Sequence, residues 1–300
     1  MTQINASVII PTHNRKNILF KTLKALNNQT YSADNFEIII INDGSTDGTE
    51  EMINNFDSNP NILYKYIEQS GPAGARNRGI EICNGNIVIF IDDDIIVNSE
   101  FIDSHVETQQ KQEKIIAHGP VIHTNNLDNP KKADKKITDF SSAFFATGNA
   151  SIKKKYLIEA GLFNEAFDKY GWEDLEMGKR LKKLDLKKVD IPEAKGYHYK
   201  PEFSLKQVPK ILQKEKERGL MAVKYHDINS SLSVKFSTLY WKPFFILKKI
   251  LTIGNWPHWK ITSKILKYAH QKNYKNLRSF ILYFMKLNAY FKGMKEADNN

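Results

Sequence analysis

Four apolar runs punctuate the first part of the chain: SVII at 7–10, EIIII at 37–41, ILYKYI at 62–67 and IVIFI at 87–91. Between them lie stretches with helical spacing, near 16–28, 47–56 and 73–83. Continuous β-branched runs bounded by polar turns predict strands buried on both faces, and their alternation with helices predicts parallel pairing through right-handed crossovers. The expected class is α/β, with a doubly wound, mostly parallel sheet and flanking helices. Ligands of such sheets gather beyond the carboxyl ends of the strands. The polar segments found there are PTHNR (11–15), NDGSTD (42–47), SGPAGARNRG (70–79) and the aspartates 92–94.

Further along, HTNNLDNPKKADKK (123–136) reads as a polar loop lying over the site. FFATGNASI (144–152) follows, then GLFNEAFDKYGWEDLEMGKRLKKL (161–184), whose second half predicts a helix, and two strand-like pieces within 187–199. The expected organisation is a catalytic domain over 1–205, with halves at about 1–123 and 124–205, and a helical region over 206–300.

Charge sharpens that boundary. Residues 1–200 carry 25 Lys and Arg against 28 Asp and Glu, whereas 201–300 carry 19 against 6. Between Asp227 and Glu296 there are 13 basic residues, 14 aromatics and no acid. LYWKPFFILKKIL and SFILYFMKLNAYFK mix both types at roughly helical spacing, which suits either amphipathic helices on anionic lipid or a small subdomain with solvated lysines. The missing acids favour the membrane reading, because solvated helical faces usually mix both signs. A single cysteine, Cys83, excludes an internal disulfide and fits a reducing compartment. The N-terminus lacks a basic region before its first apolar run, and no apolar stretch reaches the roughly 18 residues of a spanning helix. A cytoplasmic protein, peripheral on the inner face of the membrane, is the expectation.

Three adjacent carboxylates at the tip of a buried strand are costly unless a cation or donor offsets them. In an extended chain Asp92 and Asp94 would point the same way, offering hard oxygens to Mg²⁺ or Mn²⁺, or the trio could cap the helix that begins near Ser99. GPAGARNRG offers amides and arginines to an anion, or is an ordinary tight loop. It is neither a P-loop nor a dinucleotide fingerprint. Asp47 with Glu50 suggests a capping box, and Asp43 suits a nucleobase N–H or a turn. Glu173 and Asp174 open a helix, either as a general base or as acids placed for the dipole. His198 is a metal ligand or a structural histidine.

Taken in order, SVIIPTHNR, IIINDGSTDGT, GPAGARNRG, FIDDD, TGNASI and FNEAF…YGWEDLEMGKRL resemble the inverting family 2 glycosyltransferases of GT-A fold, over about residues 5–200. The resemblance implies transfer of a sugar from a nucleotide-sugar, usually a UDP-sugar, to a hydroxyl of a saccharide or lipid-linked acceptor in cell-surface polysaccharide synthesis. It gives Pro11, Thr12, Asn14, Arg15, Asp43, Arg76, Asp92 and Asp93 to the nucleotide-sugar, with Arg76 near the ribose and diphosphate. It gives Asp94 and His198 to Mn²⁺ or Mg²⁺, and Asp174 the role of catalytic base. Gly148, Asn149, Trp172 and Glu173 fall in the donor-sugar and acceptor region. Ile95 stands where many relatives carry another acid, so the ligand set is incomplete by that pattern.

Two other classes compete. A nucleic-acid-binding protein would explain the basic aromatic tail but leave the front-half motifs idle, so no nucleic-acid partner is expected. A nucleotidyltransferase of similar architecture would need a glycine-rich basic loop after the first strand, and PTHNR is not one. No pattern in the chain bears on oligomeric state.

Overall fold

The computed structural model describes residues 4–127, 129–132 and 140–298. The chain forms two compact units, one of Met1–Asp168 with Glu173–Pro201 and one of Lys169–Trp172 with Glu202–Asn300.

In the first unit the strands are β1 (Ala6–Thr12), β2 (Phe36–Asp43), β3 (Asn61–Ile67), β4 (Ile87–Ile91), β5 (Ile95–Val97), β6 (Ile115–His118), β7 (Val121–Thr124), β8 (Asn149–Lys153), β9 (Lys187–Asp190) and β10 (Gly196–Tyr199). The helices are α1 (Lys16–Leu26), α2 (Thr49–Asn54), α3 (Gly71–Ile82), α4 (Phe101–Lys111), α5 (Lys154–Glu159) and α6 (Glu173–Lys183). Among the described residues a seven-stranded sheet runs β3-β2-β1-β4-β8-β6-β9, and a three-stranded sheet runs β5-β10-β7. In the large sheet only β8 is antiparallel to its neighbours.

The apolar runs become this sheet because both its faces are covered. Every residue of β2 is buried. On one face Val8, Ile10, Ile38, Ile40 and Ile89 pack with Leu19, Leu23 and Leu26, the i, i+4, i+7 stripe of α1. Each such side chain contributes roughly 1.5–3 kcal/mol by leaving water.

Local sequence misled in three places. The segment read as a loop from 123 begins inside β7, which pairs with β10, and ends its described part in a short 3₁₀ turn at Pro130–Lys132. Residue 128 and residues 133–139 lie outside the described residues. The capping box at Asp47 does not form, because Gly48 in a left-handed conformation is the N-cap of α2. Asp47 instead accepts from the amides of Lys16 (2.8 Å) and Thr49 (3.2 Å), the first residues of α1 and α2, so one carboxylate serves two helix starts. Finally, the aspartates do not cap α4, whose N-cap is Glu100, nor do they continue β4 as an extended chain. They turn, with the Ile95 amide donating to the Asp92 carbonyl at 3.2 Å, and the turn sends the carboxylates in different directions.

The second unit is helical: α7 (Val208–Ile228), α8 (Leu232–Thr238), α9 (Lys242–Leu251), α10 (Lys260–Gln271) and α11 (Lys275–Asp298). α7 and α11 run antiparallel and in close contact. A Cβ on Gly219 would lie 2.0 Å from the Tyr290 carbonyl, and one on Gly293 would lie 1.9 Å from that of Lys216. Only glycine permits backbones this near. No helix among the described residues is long and apolar enough to cross a membrane.

Candidate active site

Strand tips of the first unit bring the sequence motifs together. β1 pairs with β2 and β4, so PTHNR lies between NDGSTD and the aspartates. β8 pairs antiparallel with β4, Asn149 opposite Ile91, which carries Thr147 and Gly148 past the end of β4 toward the same acids. A Cβ on Gly148 would come within 3.3 Å of Asp92 Oδ2, so the missing side chain leaves the carboxylate open. β10 pairs with β5, His198 opposite Ile95, and this register sets the imidazole beside Asp94.

The three aspartates then take three different sets of partners, Asp93 and Asp94 sharing Arg15. Asp93 is buried; it accepts from Thr12 Oγ1 at 2.8 Å and from Arg15 Nη1 at 3.0 Å. Burial pushes its carboxyl up to about 6 against the pull of Arg15. Asp94 accepts from Arg15 through Oδ2, which also lies 3.3 Å from His198 Nε2. Burial works against its charge, but His198 and Arg15 hold the carboxyl down at about 2. Its second oxygen, Oδ1, is buried and has no hydrogen-bond partner. An ionised oxygen in that condition is unstable by the ordinary rules of burial. Asp92 is the most open of the three, its side chain 44% exposed, with Arg76 Nη2 3.6 Å from Oδ1.

Arg76, which the resemblance sets near the ribose and diphosphate, is only 6% exposed. Its guanidinium meets three carboxylates: Glu173 at 3.1 Å, Asp92 at 3.6 Å and Asp174 at 3.7 Å. Despite burial, that company raises its pKa above the ordinary value. Glu173 is buried, and desolvation together with Asp174 raises its carboxyl. Asp174 sits in the first turn of α6, with Glu173 and Glu176 beside it. Its Oδ2 accepts from the Thr147 amide at 3.0 Å and from Thr147 Oγ1 at 2.9 Å, while the side chain stays 23% exposed. Thr147 was not singled out from the sequence. No spacing rule links 147 to 174; the two meet because the segment before β8 and the first turn of α6 converge.

The remaining expected residues have structural partners. Asp43 accepts from the Ser70 amide at 2.7 Å and the Gly71 amide at 3.1 Å, capping α3. Asn14, at a positive φ of 52°, accepts from the Thr46 amide through Oδ1 and so ties the first tip to the second. Pro11 is half-buried at the end of β1. Asn149 is buried, its amide group donating to the carbonyls of Pro120 and Ala194 at 3.1 and 2.9 Å, with Oδ1 2.9 Å from His105 Nε2. Trp172 belongs to the second unit, where its indole N–H donates to the Arg218 carbonyl at 2.9 Å.

Among the described residues no group of three or more His, Cys, Asp or Glu is arranged to hold a metal. The donor set present, Asp94 Oδ1 without a partner and His198 close by, is a partial one. It fits a hard divalent ion whose other ligands are phosphate and water oxygens, the usual habit of Mg²⁺ and Mn²⁺ at nucleotide sites.

Comparison with known proteins places this arrangement. The profile of glycosyl transferase family 2 matches residues 7–170. An uncharacterised glycosyltransferase of Bacillus subtilis is 28% identical over 242 residues, covering 61% of this chain and 62% of the relative. Chondroitin synthase of Escherichia coli is 30% identical over 240 residues, covering 65% of this chain and 34% of the synthase. The chain therefore spans less than two thirds of the length of either relative. A mannosyltransferase from Pyrobaculum calidifontis, solved with GDP-mannose and Mn²⁺, superposes with a TM-score of 0.61 at 14% identity, over 99% of this chain and 88% of its own. The fold is GT-A, and the chain belongs to glycosyl transferase family 2.

Proposed function

We propose that the chain is an inverting, divalent-metal-dependent glycosyltransferase. It moves a sugar from a nucleotide-sugar, a UDP-sugar, to a hydroxyl of a saccharide or lipid-linked glycan. The observation that carries this reading is the ionised, buried and unpartnered oxygen of Asp94 at the tip of β4, with the open carboxylate of Asp174 held nearby through Arg76. The mannosyltransferase solved with GDP-mannose and Mn²⁺ supports a nucleotide-sugar donor, and the chondroitin synthase relative supports a saccharide acceptor.

In this mechanism Asp94 and His198 would hold Mn²⁺ or Mg²⁺, which when bound would supply positive charge against the departing diphosphate. Arg15, whose side chain is 39% exposed, adds a fixed cation to the same pocket while bound to Asp93 and Asp94. Asp43 reads the base: Oδ2 accepts one amide and retains a lone pair for the N–H of a pyrimidine. Asp174 takes the proton of the acceptor hydroxyl as that oxygen attacks the anomeric carbon from the face opposite the diphosphate. The new C–O bond forms as the bond to the diphosphate breaks, and the configuration inverts. Thr147 and Arg76 act as positioning residues, fixing the Asp174 carboxylate from two sides.

A screen of nucleotide-sugars for slow Mn²⁺-dependent hydrolysis tests the reading without knowledge of the acceptor. Release of UDP from a UDP-sugar is the expected result; turnover of GDP-mannose instead would correct the base. No metal-dependent turnover of any nucleotide-sugar would overturn the proposal.

A further inference from the structure

α9 presents to solvent the kind of face that a water-soluble helix turns inward. None of its residues is buried. Ile246, Leu247, Ile250 and Leu251 share one side of it and are between 44% and 61% exposed, and Ile253 just beyond is 71% exposed. α10 repeats the pattern with three stripes. Thr262, Leu266 and Ala269 are buried; Ile261, Ile265 and Tyr268 form an adjacent stripe that is exposed; Lys260, Lys264 and Lys267 flank it on the far side. Trp241 and Trp259, which precede the two helices, are exposed as well. Monomeric soluble proteins seldom leave so many large apolar side chains exposed along two successive helices without an occupant.

We infer that the exposed apolar stripes of α9 and α10 dock onto the interfacial region of an anionic phospholipid bilayer. Charge complementarity selects this occupant. Residues 228–295 carry 13 Lys and Arg and no Asp or Glu, so a second copy of the same segment would bring an excess of like charge against it. Lipid phosphates remove that repulsion, and lysines beside an apolar stripe can reach them while Ile, Leu and Trp enter the boundary between headgroups and acyl chains. The inference goes beyond the transferase reading and does not depend on donor chemistry.

The test is sedimentation of the full chain with vesicles of phosphatidylcholine alone and of phosphatidylcholine with about 30% phosphatidylglycerol, at low and high salt. The wild type should pellet with anionic vesicles only and release as salt rises. Lys260→Gln/Lys264→Gln/Lys267→Gln should weaken partitioning about a hundredfold, and Ile246→Ser/Leu247→Ser/Ile250→Ser by at least about tenfold. All six side chains face solvent, so thermal unfolding should be unchanged and serves as the control for folding. Equal binding to both vesicle types, binding to neither, or variants that partition like the wild type would overturn the inference. So would a stable wild-type dimer that the Ser variant dissociates, since a second copy would then be the occupant.

Discussion

The two units break the rules of globular packing in opposite ways. The first buries what should be wet: Asp93, Asp94, Glu173 and Arg76 all lie at or below 8% exposure around the tips of β4 and α6. The second exposes what should be dry, along α9 and α10. Each departure costs stability by itself and is retained in a chain whose other elements pack conventionally. On the proposed reading the first makes a place for a polyanion and its counter-ion, and the second leaves a surface for something apolar and negatively charged to cover. Buried charge and exposed apolar area are thus the two informative exceptions, one pointing to chemistry and the other to location.

That contrast can be broken most severely at Asp174. Asp174→Asn keeps the shape but removes the base, so transfer should fall by roughly 10²–10⁴ while donor affinity stays near that of the wild type. Full turnover in this variant would remove the catalytic half of the comparison. Arg76→Met leaves Glu173, Asp92 and Asp174 facing one another without their shared cation; denaturant titration should show a loss of about 3 kcal/mol. In the second unit, Gly293→Ala should cost about 1–3 kcal/mol, because the added methyl has no room against the Lys216 carbonyl. Its effect should be read in the melting of the helical unit and leave hydrolysis of the donor unchanged. The mildest change is Thr147→Val, which deletes one donor to Asp174 and should lower kcat about tenfold with the donor KM unaltered.

The sheet was largely legible because its strands carry their own signature. IIII in β2 and IVIFI in β4 are buried on both faces, and no amphipathic alternation competes with that reading. Helix starts were less legible: Asp47 suggested a local capping box, whereas its oxygens go to an amide two residues on and to another 31 residues away in sequence. The acid tip was visible as a cluster, yet the division of labour within it was not. Asp92, Asp93 and Asp94 have the same side chain, and only the turn after Ile91 decides which faces Arg76, Thr12 or His198. Thr147 stayed hidden for the same reason, since its value comes from where the approach to β8 meets the first turn of α6. In the tail, composition announced a basic aromatic zone, but a hydrophobic residue list does not say which side is turned outward. Lys249 beside exposed Ile250 shows that only packing sorts the faces.

The most direct measurement is an anomalous-difference map from crystals soaked with Mn²⁺ and UDP. The account predicts a manganese peak at bonding distance, about 2.1–2.3 Å, from Asp94 Oδ1, with diphosphate oxygens completing its shell beyond the tips of β1 and β4. A peak elsewhere, or a diphosphate bound away from those tips with Asp94 untouched, would contradict it.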